Sequence, residues 1–231
     1  MTDLWKDDAD LFALARRELF TAVVGDAMDK LGFQHQFLPP AIVPLERNMV
    51  VCGRAMTVLE ADCFDEVIEG SHNPISARPF GLMLEALDDL KTDEVYICTG
   101  ASPSYALWGE LMTVRAKKCG AAGAVVDGYS RDTGGVLDLG FPTFSHGSYA
   151  QDQGPRGKVL DFRIPIQVGQ VRVSPGDIVF GDLDGVCVVP KVAEREIMAA
   201  AFDKARKEKV VRKALEDGLP AKDAFEKYGI L

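Results

Sequence analysis

The chain has 231 residues, 47% of them hydrophobic, which is ample for a buried core in one large domain or two small ones. Its formal charge of −9 and isoelectric point near 4.9 leave no general basic surface to offset a phosphate backbone, so nucleic acid is not an expected partner. No apolar run approaches the ~20 residues needed to span a bilayer, and "MTDLWKDDADLF" lacks the basic-then-apolar pattern of an export signal, so neither membrane insertion nor export is expected. Cys52, Cys63, Cys98, Cys119 and Cys187 are odd in number and mostly set in apolar runs. They read as reduced core residues of a cytoplasmic protein.

In chain order, "DADLFALARRE" (8–18) and "TAVVGDAMDKLG" (21–32) carry apolar residues at helical spacing, the second with Thr21 as candidate N-cap and Gly32 as stop. The Pro-containing 34–46 reads as an extended connection, and "MVVCGRAMTVLE" (49–60) as a buried strand broken at Gly53. The polar segment 62–79 reads as a loop or lid, followed by a helix over about 80–90. Next come a strand over 93–100, a loop "ASPSYALW", a helix over 109–120 and a strand over 121–128, which together make a β-loop-α-β unit. Short strand candidates follow at 141–145, 164–168, 177–182 and 185–190, separated by turn signals such as "SPGD" and "DLDG". A long amphipathic helix from Val192 to about Asp217, stopped by Gly218 and Pro220, precedes a last short helix. Its many charges suit packing on a neighbouring subunit. No linker divides the chain, so residues 1–231 read as a single domain.

Two places carry candidate chemistry. "WGELM" (108–112) opens a helix directly after a loop, and the first N–H groups of a helix lack intrahelical partners and carry partial positive charge, so a small carboxylate or phosphate can dock there. Glu110 by itself is better explained as a complement to the helix dipole. "GYSRDTGGV" (128–136) places Arg131 and Asp132 at the end of the following strand, on the sheet edge where α/β folds bind ligands. Asp is a hard oxygen ligand suited to Mg²⁺ or Mn²⁺, and Arg a permanent bidentate cation suited to a carboxylate or enolate oxygen. A local surface ion pair accounts for the two residues as well. His35, His72 and His146 lack zinc-site spacing, "GDLDG" reads as a hairpin turn, and the glycines of "GAAGAVVDG" precede a strand where a dinucleotide fingerprint would join strand to helix.

Taken in order, "TAVVGDAMDKLG", "CGRAMTV", "GELM", "GYSRD", "FPTF" and "SPGDIVFGDLDGVCVVP" resemble the family of 4-hydroxy-4-methyl-2-oxoglutarate/4-carboxy-4-hydroxy-2-oxoadipate aldolases and the related regulator of ribonuclease activity A. The resemblance implies an α/β fold, a layered β/β/α sandwich of swivelling-domain type with a long C-terminal helix, assembled as trimers or hexamers. It implies a class II aldolase that cleaves a 4-hydroxy-2-oxo diacid and releases pyruvate, with oxaloacetate decarboxylation as a related activity and a divalent metal, Mg²⁺ or Mn²⁺, on Asp132. The backbone of Gly109, Glu110, Leu111 and Met112 would receive the keto acid's carboxylate and Arg131 its C2 oxygen. Glu110, and Glu208 from a neighbour's C-terminal helix, would handle the proton. The alternative that the family offers is a non-catalytic protein that binds a ribonuclease. Two segments depart from the family pattern: the longer 62–79, with His72, Asn73, Pro74 and Arg78, and 145–158, where Ser145-His146 replaces a common Ala-Arg pair. Both are candidate walls of the substrate pocket.

Overall fold

The computed structural model describes residues 4–63 and 74–230, so His72 and Asn73 lie outside the described residues. Helix α1 (Asp8–Glu18) is capped by Asp7, whose side chain accepts from the Asp10 amide, and α2 (Thr21–Lys30) follows after a break at Leu19 and Phe20. Thr21 is not the N-cap of α2. Phe20 holds that position with no side-chain cap of its own, and the orphan amide of Thr21 donates instead to Asp182 Oδ2 at 2.8 Å. The acidic turn that reads as a mere hairpin therefore caps a helix far away in sequence.

After the two-residue β1 (Val43–Pro44), the long strand β2 (Val51–Asp62) runs through Gly53 without a break. Glycine serves there for close approach, since a Cβ at 53 would run into the Asp93 carbonyl. Helix α3 (Met83–Asp89) leads to β3 (Glu94–Thr99). The segment read as a loop contains a short strand, β4 (Ala106–Trp108), before α4 (Glu110–Cys119), which ends on Gly120 at φ 83. Then come β5 (Gly123–Val126), β6 (Tyr129–Ser130), the unanticipated short helix α5 (Thr133–Asp138) and β7 (Thr143–Ser145). Of the remaining strands, β8 (Gly157–Phe162) and β10 (Val171–Val173) carry no signal strong enough to be anticipated, whereas β9 (Ile166–Val168), β11 (Ile178–Asp182) and β12 (Gly185–Val189) fall where expected. The chain closes with α6 (Glu194–Glu216) and α7 (Ala221–Tyr228).

One eight-stranded sheet runs β1-β7-β5-β3-β2-β11-β12, and β8 pairs the far half of β2. Strands β2, β3, β5 and β7 are parallel neighbours, as the β-loop-α-β reading requires. Alternate residues of β2 divide the core. Met56 and Val58 pack with α3, α4 and the Tyr96 face of β3, while Val51 and Ala55 pack with the β9-β10 hairpin. A further apolar cluster buries α1, α2 and α6 against Cys52, Phe180 and Cys187. These are the expected β/β/α layers with the long C-terminal helix packed on them. All five cysteines are free. No helix among the described residues is long and apolar enough to cross a membrane.

Candidate active site

Strands β4 and β6 form a small parallel sheet of their own, with Trp108 opposite Ser130. Because the two strands run side by side in the same direction, the residues that leave them, Gly109 and Arg131, emerge as neighbours. The Arg131 amide donates to the Trp108 carbonyl at 2.9 Å, which joins the two exits directly. The edge on which helix starts and strand ends meet is thus built by this pair, outside the main sheet.

Gly109 is the N-cap of α4 and has no side chain to cap the helix, so the first-turn amides face outward. Trp108 Nε1 donates to Thr113 Oγ1 (2.8 Å), which in turn donates to the Gly109 carbonyl (3.0 Å), fixing the start of the helix. A Cβ at 109 would lie 3.2 Å from Asp132 Oδ2 and 3.4 Å from Arg131 Cγ, so glycine lets the acid and the Arg131 stem lie close against the helix entrance. Asp132 itself adopts the left-handed region (φ 51, ψ 35), which Asp tolerates better than most residues and which turns its carboxylate back toward Gly109.

Arg131 and Asp132 form an ion pair, with Nε donating to Oδ2 at 3.3 Å. The tighter partner of Arg131 is Asp152, at 2.6 Å from a terminal guanidinium nitrogen. Side chains 131, 132 and 152 are 36%, 48% and 49% exposed, so they line an open site. Together with Phe80, Met83, Ala106, Leu107, Trp108, Gly109, Leu111, Met112 and Gln153 they line an open cavity of about 170 Å³. The anion-attracting helix start, the cationic Arg131 and the carboxylates of Asp132 and Asp152 all border it.

The other anticipated residues are placed differently. Glu110 is not among the cavity-lining residues; its carboxylate rests on Gly135 of α5, where an added Cβ would come within 2.5 Å of Oε2. Glu208 pairs with Lys204 at 3.6 Å and borders a groove between α1 and α6, none of whose residues lines the Arg131 cavity. His146 sits outside the cavity lining as well, with Nε2 3.1 Å from Asp127 Oδ1, whose other oxygen accepts from Thr99 at 2.7 Å. His35 borders a separate surface groove. Sequence reasoning missed Asp152 and Gln153. They lie in the segment 145–158 flagged as a pocket wall, but no local pattern singles them out.

Among the described residues no group of three His, Cys, Asp or Glu side chains could hold a metal. The half-exposed Asp132 carboxylate suits Mg²⁺ or Mn²⁺, hard cations that keep several waters and complete their shell with substrate oxygens.

Comparison with known proteins agrees with this architecture. The model of the RraA-like family, described as Aldolase/RraA, matches residues 21–188. A protein of Halalkalibacterium halodurans that carries the provisional name 4-hydroxy-4-methyl-2-oxoglutarate aldolase is 30% identical over 210 residues, 90% of each chain. An uncharacterized protein of Methanocaldococcus jannaschii is 28% identical over 183 residues, 78% of this chain and 80% of its own length. The crystal structure of Streptomyces coelicolor RraAS2, described as an unusual member of the RNase ES inhibitor RraA protein family, superposes with a TM-score of 0.75 at 25% identity, covering 90% of this chain and 98% of that one.

Proposed function

Because the chain belongs to the RraA-like family of aldolases and RraA proteins, we propose that it is a carbon-carbon lyase that cleaves a 4-hydroxy-2-oxo diacid to release pyruvate, dependent on Mg²⁺ or Mn²⁺. The observation that carries this reading is the meeting of the uncapped α4 start, Arg131 and Asp132 around one small cavity. The amides of Glu110, Leu111 and Met112 receive the carboxylate of the 2-keto acid, and Arg131 donates to the C2 oxygen. Asp132 holds the metal, which when bound acts as a Lewis acid toward the C2 carbonyl. As the bond between C3 and C4 breaks, the C4 hydroxyl loses its proton, C4 becomes a carbonyl, and the electron pair moves to the C2 oxygen. Arg131 therefore binds the departing enolate more strongly than the ground state, which is the condition for faster chemistry. Protonation of C3 then yields pyruvate. Glu110, held on Gly135 beside the cavity, orients water for the proton transfers, and Glu208 contributes from a second copy in a trimer or hexamer. Oxaloacetate decarboxylation passes through the same enolate and is expected as a related activity.

The test is pyruvate release from 4-hydroxy-2-oxo diacids and from oxaloacetate with Mg²⁺ or Mn²⁺, repeated after chelation and with Arg131→Ala. Chelation is expected to abolish turnover, and Arg131→Ala to lower kcat on the order of 10²-fold or more, the effect of losing one oxyanion donor. Turnover indifferent to EDTA removes the metal from the mechanism, and a near-normal kcat removes Arg131. The RNase ES inhibitor description of the Streptomyces relative supports a second reading as a non-catalytic ribonuclease-binding protein. Absence of turnover on every keto acid, combined with tight capture of a ribonuclease, would favour it.

A further inference from the structure

Behind the cavity lies a buried carboxyl group. Glu60, on the long central strand, is 2% exposed. The pairing of β2 with β8 slips between Leu59 and Glu60, and such a slip re-aims a side chain. Gln153 Nε2 donates to Glu60 Oε2 at 2.6 Å and the Cys98 thiol is a second polar neighbour, while among the described residues Oε1 is buried without a hydrogen-bond partner, as is the hydroxyl of the neighbouring Tyr96. Burying an acid in such surroundings costs stability and is seldom retained for packing alone.

What Glu60 holds is a wall of the site. Gln153 is 4% exposed and lines the cavity, and its carbonyl accepts from the amides of Arg156 (2.7 Å) and Gly157 (2.9 Å), which makes it the pivot of a tight turn. Its chain neighbour Asp152 grips the guanidinium of Arg131 at 2.6 Å. Among the described residues the β2 carboxyl beneath it is the hydrogen-bond partner of Gln153's side chain. We propose that Glu60 is a positioning residue, which fixes the 152–157 turn through Gln153 and thereby sets, through Asp152, where the Arg131 guanidinium stands in the cavity. The reasoning is geometric: one hydrogen bond from the core to Gln153, one peptide step to Asp152, one ion pair to Arg131. A displacement of Arg131 by even an ångström would cost rate, because its donor must meet the oxygen that gains charge. The inference deepens the lyase reading and rests on it for its consequence in rate, but the coupling of Glu60 to Arg131 is a property of the folded chain.

The test uses Glu60→Gln, Glu60→Leu, Gln153→Leu and Asp152→Asn in the full chain, with two readouts. The first is the Nε–H resonance of Arg131 in NMR spectra, assigned by its loss in Arg131→Lys, which needs no substrate. Glu60→Leu and Gln153→Leu are expected to shift it and speed its solvent exchange as Asp152→Asn does. Glu60→Gln, which still accepts from Gln153, is expected to leave it in place. The second is pyruvate release. The two Leu variants are expected to lower kcat on the order of 10- to 100-fold with a smaller change in KM, Glu60→Gln to restore it, and Glu60→Leu combined with Asp152→Asn to be no slower than Asp152→Asn alone. An unmoved Arg131 resonance in both Leu variants, or losses that multiply with Asp152→Asn, would overturn the proposal. If the wild type turns over no keto acid, the lyase reading fails while the resonance still decides the coupling.

Discussion

A glutamine in place of Glu60 removes one proton-binding group from the core and leaves the shape nearly unchanged, so its effect on stability can be worked out from the surroundings of the carboxyl. Burial pushes Glu60 from the ordinary 4.5 up to about 8, with Cys98 and Gln153 offsetting only part of that rise. The titratable groups that face it, Tyr96 and Cys98 on β3 and Tyr105 ahead of β4, are acids themselves and supply no counter-charge. The folded protein keeps the Glu60 proton up to about pH 8, whereas the unfolded chain releases it near 4.5. Between those values the native state binds more protons, so this group makes stability fall as pH rises, by at most on the order of 5 kcal/mol across the window. Glu60→Gln lacks the slope. The difference in unfolding free energy between variant and wild type, measured by urea titration at steps from about pH 5 to 9, is therefore expected to grow in favour of the variant and to level off above about pH 8. Asp8, Glu18, Asp62 and Asp89 are held below their ordinary values by hydrogen bonds and ion pairs. Their contribution is lost only in acid and is common to both proteins, so it cancels in the difference. Parallel curves across the whole range would refute the assignment of Glu60 as a carboxyl kept neutral by burial.

Gly135→Ala places a methyl group against the Glu110 carboxylate while improving helix propensity in α5. The unfolding midpoint is expected to hold or rise slightly while kcat for pyruvate release falls on the order of tenfold or more; an unchanged kcat would take Glu110 out of the proton transfers. Asp182→Ala strips the cap from Thr21 at the start of α2 and the bond to the Asp184 amide, and is expected to cost about 1–2 kcal/mol in chemical denaturation without altering KM. Unchanged stability would mean that water replaces the carboxylate there.

Much of the fold is legible in the residue order, because its signals are short-ranged. Apolar spacing marks α1, α2, α4 and α6, Gly120 and Gly218 mark helix ends, and the "DLDG" turn marks the β11-β12 hairpin. The residue order also anticipates that the α4 start and the Arg131–Asp132 pair share one edge, but what joins them is the β4-β6 pairing, in which β4 lies within a segment that reads as a loop. What the residue order leaves open depends on pairings between distant segments. Strand β8 is recognisable only once the far half of β2 offers it an edge, and Gly53 interrupts nothing because the Asp93 backbone passes close to it. Asp152 reaches Arg131 across 21 positions, Gln153 reaches Glu60 across 93, and Asp182 reaches Thr21 across 161. Periodicity records which face of an element is apolar. It carries no information on which strand lies next to which or where a ladder slips by a residue, and in this protein those two facts decide which side chains surround Arg131.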